Sequence, residues 1–347
     1  MIILTFKAGK HLEFQESFSL KKLNSLRLSS WARWFCEVND LEELLEAAMF
    51  AKERSLRVLV LGSGTNLILG RHIDGLVIRN NLRGTTLSDF EVKAASGEKW
   101  EALVEFCNYK GVPGLENLAL IPGSVGAAPI QNIGAYGVEL SDRVRSVEAL
   151  NLITSETVTF SNAECEFSYR DSRFKKEKEW FVTGLTITPN NELVFEYPDV
   201  KAYLEENELK MSSKAIYQAV CAARTRKLPD YRSFPNVGSF FKNPVVTTEE
   251  YQTLKNRFPE MPKHVHPRGI KLSAAWLIDS LGLKGKSVGG ISVSRQNALV
   301  LVNHSGGTFH DLQEMSEIIR SKVYSAYHVL LELEPEVYPP VEDLVIA

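Results

Sequence analysis

The chain has 347 residues, of which 44% are hydrophobic and 24% charged, and its formal net charge at pH 7 is −3. This is the composition of an ordinary globular protein, long enough for two or three domains with cores of their own. The near-neutral charge gives no electrostatic reason to expect binding to nucleic acid or an anionic membrane surface. Because no apolar stretch approaches the ~20 residues that span a bilayer and no secretory leader is visible, we expect a cytoplasmic protein without membrane insertion.

The first part of the chain predicts a helix and two short strands around a glycine turn. Asp40 and Glu43 form a capping-box pattern ahead of an apolar helical stripe, so a helix should begin there. Apolar runs at 57–61 and 76–78 predict buried strands, and Gly62-Ser-Gly-Thr-Asn66 between them suggests a phosphate-cradling loop. This loop is not Gly-x-Gly-x-x-Gly and no helix pattern follows it, so a Rossmann fold is a poor match.

Residues 111–138 are the unusual part of the sequence. They contain six glycines and three prolines, too many for a long helix, among apolar side chains that favour burial. A buried, glycine-rich stretch lets main-chain N–H groups approach a ligand closely, and an anionic cofactor pyrophosphate is the natural candidate. A purely structural turn is the alternative.

The remaining elements mix helices with short, non-repeating strands, which indicates an α+β fold. A composition change near 228–236 marks a domain boundary. Predicted helices cover 98–110, 199–206, 212–225, 247–258, 271–282 and 308–326. Predicted strands cover 144–152, 156–160, 180–188, 291–294, 298–302 and 329–337. The helix predicted over 212–225 ends in three cations, Arg224, Arg226 and Lys227. They could either complement the helix C-terminus or bind substrate phosphates.

Few residues suggest chemistry individually. The four cysteines lie far apart and form no Cys-x-x-Cys pair, which favours reduced core residues over a disulfide framework or zinc site. His264 and His266 have no obvious third ligand, so we predict no metal site. Ser239 lacks the Gly-x-Ser-x-Gly context of a hydrolase nucleophile. Arg170 follows an aromatic residue in a turn-like stretch, and Glu336 is a charged residue on an otherwise apolar predicted strand.

Taken together, the motifs resemble the UDP-N-acetylenolpyruvoylglucosamine reductases, the flavin enzymes that complete UDP-N-acetylmuramate in bacterial cell-wall synthesis. The resemblance covers residues 20–338 and keeps the family's order of motifs. Its segments are Asn24-Ser25, Gly62 to Asn66, Gly114 to Gly126, Pro129 to Glu139, Tyr169 to Ser172, Lys227 to Asp230, Gly238 to Pro244 and Leu333 to Val337.

The resemblance implies a vanillyl-alcohol-oxidase-type (PCMH-type) FAD-binding domain of two subdomains, and a C-terminal α+β substrate-binding domain. The FAD-binding region would cover 1–228, divide near residue 80 and be completed by 331–347, whereas 229–330 would bind the UDP-sugar. The implied activity is that of a UDP-N-acetylmuramate dehydrogenase, with non-covalent FAD and with NADPH as hydride donor. It would reduce the enolpyruvyl group of UDP-N-acetylglucosamine-enolpyruvate in peptidoglycan synthesis, and so serve cell-wall biogenesis, cell shape and cell division. We expect a monomer.

Matching positions within the motifs imply the site residues. The catalytic set is Arg170, Ser239 and Glu336. The FAD set is Gly62, Ser63, Gly64, Thr65, Asn66, Pro122, Gly123, Ser124, Gly126, Ala127, Gly134, Tyr136 and Gly137. The substrate set is Tyr169, Tyr197, Lys227, Asn243 and Gln296, with Tyr197 resembling the tyrosine of long-form enzymes whose loop closes over the substrate. Many members carry serines where this chain has Ala127 and Ala128, so we expect backbone N–H groups to replace the missing hydroxyl donors.

The catalytic set suits reduction of an enol ether. Negative charge develops on the substrate carboxylate as hydride reaches the carbon away from it, and Arg170 can pair with that charge bidentately. Glu336 can donate a hydrogen bond to it only when protonated, which burial on an apolar strand favours. Ser239 is the expected proton donor to carbon, with Lys242 or Arg170 stabilising its alkoxide. Closure of Tyr197 would exclude water.

Two other classes stay open from sequence. One is an oxidase of the same fold that passes electrons to oxygen, which leaves the catalytic set and the UDP-binding motifs unexplained. The other is a UDP-sugar-binding protein that has lost its flavin, an idea prompted by Ala127 and Ala128. Rapid oxygen consumption would favour the first, and a colourless protein that still binds UDP-sugar would favour the second.

Overall fold

The computed structural model describes residues 12–89 and 91–339, so the N-terminal apolar run and the predicted tail at 340–347 lie outside the described residues. The strands are β1 (Gln15–Ser19), β2 (Trp31–Val38), β3 (Val58–Leu61), β4 (Leu67–Leu69), β5 (His72–Asn80), β6 (Thr85–Leu87), β7 (Val92–Ala95), β8 (Gly134–Ala135), β9 (Val138–Glu139), β10 (Val144–Asn151), β11 (Thr157–Ser161), β12 (Trp180–Ile187), β13 (Val245–Val246), β14 (Lys263–His266), β15 (Gly269–Leu272), β16 (Ser287–Val288), β17 (Ile291–Val293), β18 (Leu301–Asn303) and β19 (Glu336–Tyr338). The helices are α1 (Leu41–Glu53), α2 (Trp100–Lys110), α3 (Arg173–Lys176), α4 (Pro198–Glu206), α5 (Ser213–Lys227), α6 (Thr248–Arg257), α7 (Ala274–Asp279) and α8 (Phe309–Tyr327).

The described chain forms two compact units. The first unit contains 12–18, 32–63 and 73–221, and the second unit contains 19–31, 64–72 and 222–339. The short segments join the second unit because β4 pairs with β19 in parallel and because Leu26, Leu28 and Ile68 pack in its core. The functional division that we predicted near residues 228 and 331 stays a prediction.

Two sheets organise the first unit, with strand orders β1-β2-β5-β3 and β11-β10-β12-β7-β6. Helix α1 begins as predicted, since the Asp40 side chain accepts a 2.9 Å hydrogen bond from Glu43 N. The Glu43 carboxylate accepts a hydrogen bond from Asn39 N, and not from Asp40 N as in a standard capping box. Helix α2 buries Trp100, Leu103, Val104 and Cys107 in the larger of the unit's two apolar clusters.

The second unit builds its core around α8, whose predicted stripe of Leu312, Met315, Ile319 and Val323 is buried. Two three-stranded sheets, β13-β15-β14 and β16-β17-β18, and the β19-β4 pair complete it. No helix in the described part of the chain is long and apolar enough to cross a bilayer.

Three predicted elements of the second unit are wrong in extent. The strand predicted over 298–302 is only β18, since residues 298 and 299 lie in a turn. The helix predicted over 271–282 is only α7, because residues up to Leu272 pair with β14 and Ser273 then caps the helix by accepting a hydrogen bond from Trp276 N. The strand predicted over 329–337 is only β19, because the preceding Pro335 has no N–H for a strand ladder.

Candidate active site

The glycine-rich segment 111–138 is buried and irregular, as the sequence predicts. Gly111 ends α2 in the left-handed conformation, with φ 69°. Beyond it, short 3-10 turns cover Glu116–Leu118 and Val125–Ala127, and β8 pairs with β9. Leu115, Leu118 and Val125 are almost fully buried in the first unit's larger cluster. The segment is therefore a packed part of the core and not a linker.

Two of the segments predicted to bind the cofactor lie side by side in the first unit. A Cβ on Gly62 would lie 2.3 Å from Ser124 Oγ, and a Cβ on Gly126 would lie 2.6 Å from Ser96 Cβ. Real Cβ atoms do not approach other atoms so closely, so neither position has room for a side chain. The turn after β3 therefore packs directly on the central segment, and the central segment packs equally closely on Ser96.

The main-chain N–H groups of the 3-10 turn at Val125–Ala127 are already used within the protein. Val125 N donates to Glu98 O and Gly126 N donates to Ser96 O, each at 2.8 Å. Ala127 N and Ala128 N donate to carbonyls inside the turn itself. These four groups thus have acceptors inside the protein, and their expected role in place of the missing serines stays a prediction.

The rest of the glycine turn belongs to the second unit, where it lies beside Ser25. Gly64 has φ 63°, and a Cβ there would lie 2.0 Å from Leu23 O. Ser25 N donates to Gly64 O at 3.0 Å, which places Ser25 beside the turn. The Ser25 side chain is buried, and its Oγ has no hydrogen-bond partner in the described part of the chain. A buried hydroxyl without a partner is costly, so this orphaned donor fits an anionic oxygen of FAD.

Sequence reasoning noted the Asn24-Ser25 motif but assigned it no role in the site. The structure shows why both residues are needed. Asn24 is buried and bridges its own loop, donating from Nδ2 to Leu20 O and Leu28 O and accepting from Leu28 N. This bridging keeps Ser25 against Gly64.

Arg170 lies at the tip of a tight turn. Ser168 and Asp171 exchange both backbone hydrogen bonds, at 3.0 and 3.1 Å, and leave Tyr169 and Arg170 between them. Arg170 adopts φ 56°, the left-handed region that most side chains avoid. Its guanidinium carbon lies 5.2 Å from the centre of the Tyr169 ring. The turn therefore presents the aromatic ring and the cation together.

Three hydrogen bonds dock this turn on the central segment. Ser172 Oγ donates to Ile130 O at 2.8 Å, and Arg170 Nη2 donates to Gly134 O at 3.0 Å. Between them, Asn132 Nδ2 donates to Ser168 O at 3.2 Å. Arg170 is thus held in register with the segment that carries the predicted FAD residues.

The Tyr197 ring also packs against the central segment. Its ring centre lies 5.1 Å from that of Tyr136, at an interplanar angle of 70°. Burial raises the pKa of the Tyr197 phenol, and the nearby Asp199 carboxylate raises it further. Raising the pKa keeps the hydroxyl protonated and able to donate a hydrogen bond. A residue predicted for the cofactor and one predicted for the substrate therefore touch in the first unit.

Ser239 and Glu336 lie on neighbouring segments of the second unit. Phe241 bridges Leu333, and Glu334 N donates to Phe240 O at 3.1 Å, so the two segments run antiparallel. In this register Ser239, one residue before Phe240, lies beyond the same end of the pairing as Glu336, and Ser239 itself pairs with Val300. Glu336 N in turn donates to Asn66 O at 3.1 Å. The second unit thus brings together Ser239, Glu336 and the end of the glycine turn.

Lys242, which we expected to assist Ser239, has a different neighbour. Its ammonium lies 3.1 Å from the Glu332 carboxylate, an ion pair on the partly exposed surface. Arg170 belongs to the first unit, and the chemical roles of all three catalytic candidates remain predictions.

The predicted substrate residues of the second unit occupy two places. Gln296 Nε2 donates to Arg226 O at 2.7 Å, so it lies against the last turn of α5, which ends at Lys227. Asn243 Oδ1 accepts a 2.9 Å hydrogen bond from Ala274 N at the start of α7. The α5 terminus therefore gathers Gln296 and Lys227, whereas Asn243 has a structural bond of its own.

The histidines considered as metal ligands, His264 and His266, lie on β14. Burial lowers the pKa of His266, and the cations Arg268 and Lys271 lower it further. Within the described ranges, no three His, Cys, Asp or Glu side chains are grouped in a way that could hold a metal ion.

Comparison with known families and structures identifies both parts of the chain. The family described as "FAD binding domain" matches residues 32–161. The family described as "UDP-N-acetylenolpyruvoylglucosamine reductase, C-terminal domain" matches residues 229–338. A solved structure with a similar fold is the UDP-N-acetylenolpyruvylglucosamine reductase from Thermus caldophilus, with a TM-score of 0.68 at 24% identity over 95% of this chain and 99% of that chain. These matches confirm the predicted fold.

Curated relatives match along nearly their whole length. The UDP-N-acetylenolpyruvoylglucosamine reductase of Bdellovibrio bacteriovorus is 40% identical over 93% of this chain and 99% of its own. The Pseudomonas aeruginosa reductase is also 40% identical, over 94% of this chain and 99% of its own. The Bordetella pertussis reductase is 41% identical over 92% and 94%. The chain therefore belongs to the UDP-N-acetylenolpyruvoylglucosamine reductase family.

Proposed function

We propose that this chain reduces the enolpyruvyl group of UDP-N-acetylglucosamine-enolpyruvate to UDP-N-acetylmuramate, with FAD as cofactor and NADPH as hydride donor. The observation that carries the proposal is the identity of 40% to a reductase over 93% of this chain and 99% of that relative. The reaction supplies a precursor of peptidoglycan, so the expected setting is the cytoplasm, where nucleotide-linked precursors and NADPH are found. The expected form is a monomer.

FAD supplies the hydride-transfer chemistry when bound. The close packing of Gly62 on Ser124 supports a joint role of these two segments in holding the cofactor, and the Ser25 hydroxyl, which has no partner among the described residues, offers a hydrogen bond. The residues described thus fit the cofactor without the serines missing at Ala127 and Ala128. We infer that binding is non-covalent.

Arg170 is our proposed partner for the substrate carboxylate. A guanidinium stays protonated at every physiological pH and can form two parallel hydrogen bonds to a carboxylate. The docking of its turn through Ser172, Asn132 and Gly134 supports this role, since a cation that stabilises developing charge must be held in place before the reaction.

Ser239 and Glu336 are our proposed proton donors. Ser239 would deliver a proton to the substrate carbon, and a protonated Glu336 would donate a hydrogen bond to the carboxylate as charge develops there. Their neighbouring positions on antiparallel segments support joint action. Lys242 and Arg170 are the proposed cations for stabilising the serine alkoxide, and Lys242 is the one that also pairs with Glu332.

The remaining substrate roles follow the family motifs. Tyr169 and Tyr197 offer aromatic surface and a hydroxyl, and Lys227 offers a cation for the UDP phosphates. Gln296 supports Lys227 by binding the carbonyls of the same helical turn.

One experiment tests the proposal directly. The purified protein should be yellow, lose its colour when NADPH is added without oxygen, and regain it when the enolpyruvyl substrate follows. Mass spectrometry should then show a product heavier by two hydrogen atoms. Acid precipitation should release the colour into the supernatant, which separates non-covalent from covalent FAD. A colourless protein that binds UDP-sugar, or rapid oxygen consumption without substrate reduction, would contradict the proposal.

A further inference from the structure

The segment that carries Tyr197 is a strap without regular structure. Residues 188–197, here called the tyrosine segment, connect β12 to α4 without helix or strand. Two backbone hydrogen bonds fix its beginning, from Thr188 N to Arg143 O at 3.1 Å and from Asn190 N to Pro113 O at 3.0 Å. The part nearer to Tyr197 needs another attachment.

Asn117 provides that attachment. It lies in the 3-10 turn Glu116–Leu118, and only 2% of it is exposed. Its Nδ2 donates to Val194 O at 2.8 Å and to Tyr136 O at 2.9 Å. A side-chain amide has two N–H groups, so both are used, one on the tyrosine segment and one on the central segment.

The two carbonyls that accept hydrogen bonds from Asn117 lie on the two segments whose tyrosine rings contact each other. Tyr136 itself packs edge-to-face on Tyr197, three residues beyond Val194. Leu193, Val194 and Phe195 are half-buried against the first unit's larger core cluster, whereas Glu192 and Glu196 are exposed. The tyrosine segment is thus docked by a few apolar contacts and by a buried amide, and not by a strand ladder.

We propose that Asn117 is a positioning residue for Tyr197, because it holds the tyrosine segment in its docked place on the central segment. This inference rests on the proposed function in that Tyr197 acts on the UDP-sugar substrate. If only a fraction of molecules holds Tyr197 in place, the apparent affinity for substrate falls by that fraction. Removing Asn117 leaves two part-buried carbonyls without this donor and so favours release of the segment.

Proteolysis of the FAD-loaded protein tests the docking itself. A glutamate-specific protease can cut after Glu192 and Glu196 only when the tyrosine segment leaves its site. We expect Asn117→Ala to speed this cleavage by about tenfold or more, since two part-buried hydrogen bonds are lost. Asn162→Ala is the matched control, because Asn162 Nδ2 also bridges two carbonyls, Ser141 O and Val144 O, outside the tyrosine segment.

The pattern of cuts separates local release from general unfolding. Cleavage confined to the tyrosine segment in Asn117→Ala, with the control at the wild-type rate, supports the inference. Equal rates in wild type, variant and control would overturn it. Should Asn117→Ala fail to fold, Asn117→Ser keeps one donor and should show a smaller increase at the same two sites, whereas no increase there would also overturn the inference.

Steady-state kinetics test whether Asn117 acts through Tyr197. We expect Asn117→Ala to raise the KM for the enolpyruvyl substrate about tenfold with kcat near wild type, and to add less than about twofold when Tyr197→Ala is already present. Independent, multiplying effects would mean that Asn117 does not act through Tyr197. If the wild type does not reduce this substrate at all, the proposed function fails, yet the protease assay still decides the role of Asn117.

Discussion

Replacing Asn132 offers a test of how the Arg170 turn is held. Asn132 is fully buried, and its Oδ1 accepts a 2.9 Å hydrogen bond from Ser141 N. Its Nδ2 donates to the Glu139 carboxylate at 2.9 Å, and also reaches Ser168 O and Ser141 Oγ at 3.2 and 3.3 Å. Because one amide serves two loops and one carboxylate, its removal should affect both stability and activity.

The contacts set the size of the effect. Asn132→Ala removes one neutral bond to Ser141 N, one charge-assisted bond to Glu139 and the shared bond to Ser168 O. We expect the free energy of unfolding to fall by about 2–4 kcal/mol. Ser172→Ala removes only the bond to Ile130 O and should cost about 0.5–1.5 kcal/mol, which makes it the matched comparison.

Thermal unfolding monitored by tryptophan fluorescence measures the difference. Since the entropy of unfolding grows with chain length, 1 kcal/mol shifts the Tm by only about 1–2 °C in a chain of 347 residues, and Asn132→Ala should lower the Tm by about 3–6 °C. Turnover should fall by up to about 100-fold even in the folded variant, because a displaced Arg170 pairs poorly with the substrate. A Tm within about 2 °C of wild type, or no larger loss than in Ser172→Ala, would refute this account of the turn.

A charged replacement adds a pH signature. In Asn132→Asp, the introduced carboxylate would face the Glu139 carboxylate and the Ser168 carbonyl in a buried site. Burial and the like charge would raise the pKa of the introduced group above its unfolded value, so the folded state would bind the extra proton. Stability should therefore recover as pH falls and decline as pH rises. A pH profile parallel to that of the wild type would contradict this reasoning.

Three further predictions concern the proton donor, the arginine and the thiols. Ser239→Ala should leave loss of flavin colour with NADPH near the wild-type rate but slow its return with substrate by about 100-fold or more, and Ser239→Cys should retain more activity. Gly134→Ala should lower turnover, since its Cβ would lie 3.2 Å from Arg170 Nη1 and 3.0 Å from Glu139 Cγ. A thiol reagent at about pH 8 should modify at most one cysteine of the native protein, the half-buried Cys221. Burial raises the pKa of the other three thiols, those of Cys36, Cys107 and Cys165, to about 12. The free energy of unfolding should therefore decline as pH rises from about 9 toward 12.

Each of these has an outcome that counts against it. Slow loss of colour with normal return in Ser239→Ala would assign the carbon proton to another group. Wild-type turnover in Gly134→Ala would show that Arg170 need not keep its place beside Gly134. Titration of two or more native thiols near neutral pH, or a Tm independent of alkaline pH, would mean that the buried cysteines are accessible.

Local patterns in the sequence determined the family, most of the elements and the nature of the central segment. Helix α1 was predictable because a cap involves residues only a few positions apart, as with Asp40 and Glu43. The buried, irregular character of 111–138 was predictable because glycine and proline restrict the backbone wherever they occur. The motif residues followed from resemblance, and identity to the curated relatives confirms the family.

Tertiary structure alone decided which polar groups are available and which hold others in place. Sequence could not show that the N–H groups of Val125 to Ala128 donate within the protein, nor that the Ser25 hydroxyl has no partner among residues 12–89 and 91–339. It also gave no sign of Asn117, whose amide joins residues as far as 77 positions apart, or of Asn132, which reaches 36 positions to the Arg170 turn. Hydrogen bonds of this range depend on how the chain folds back on itself, and no local residue pattern encodes which carbonyl a buried amide will meet.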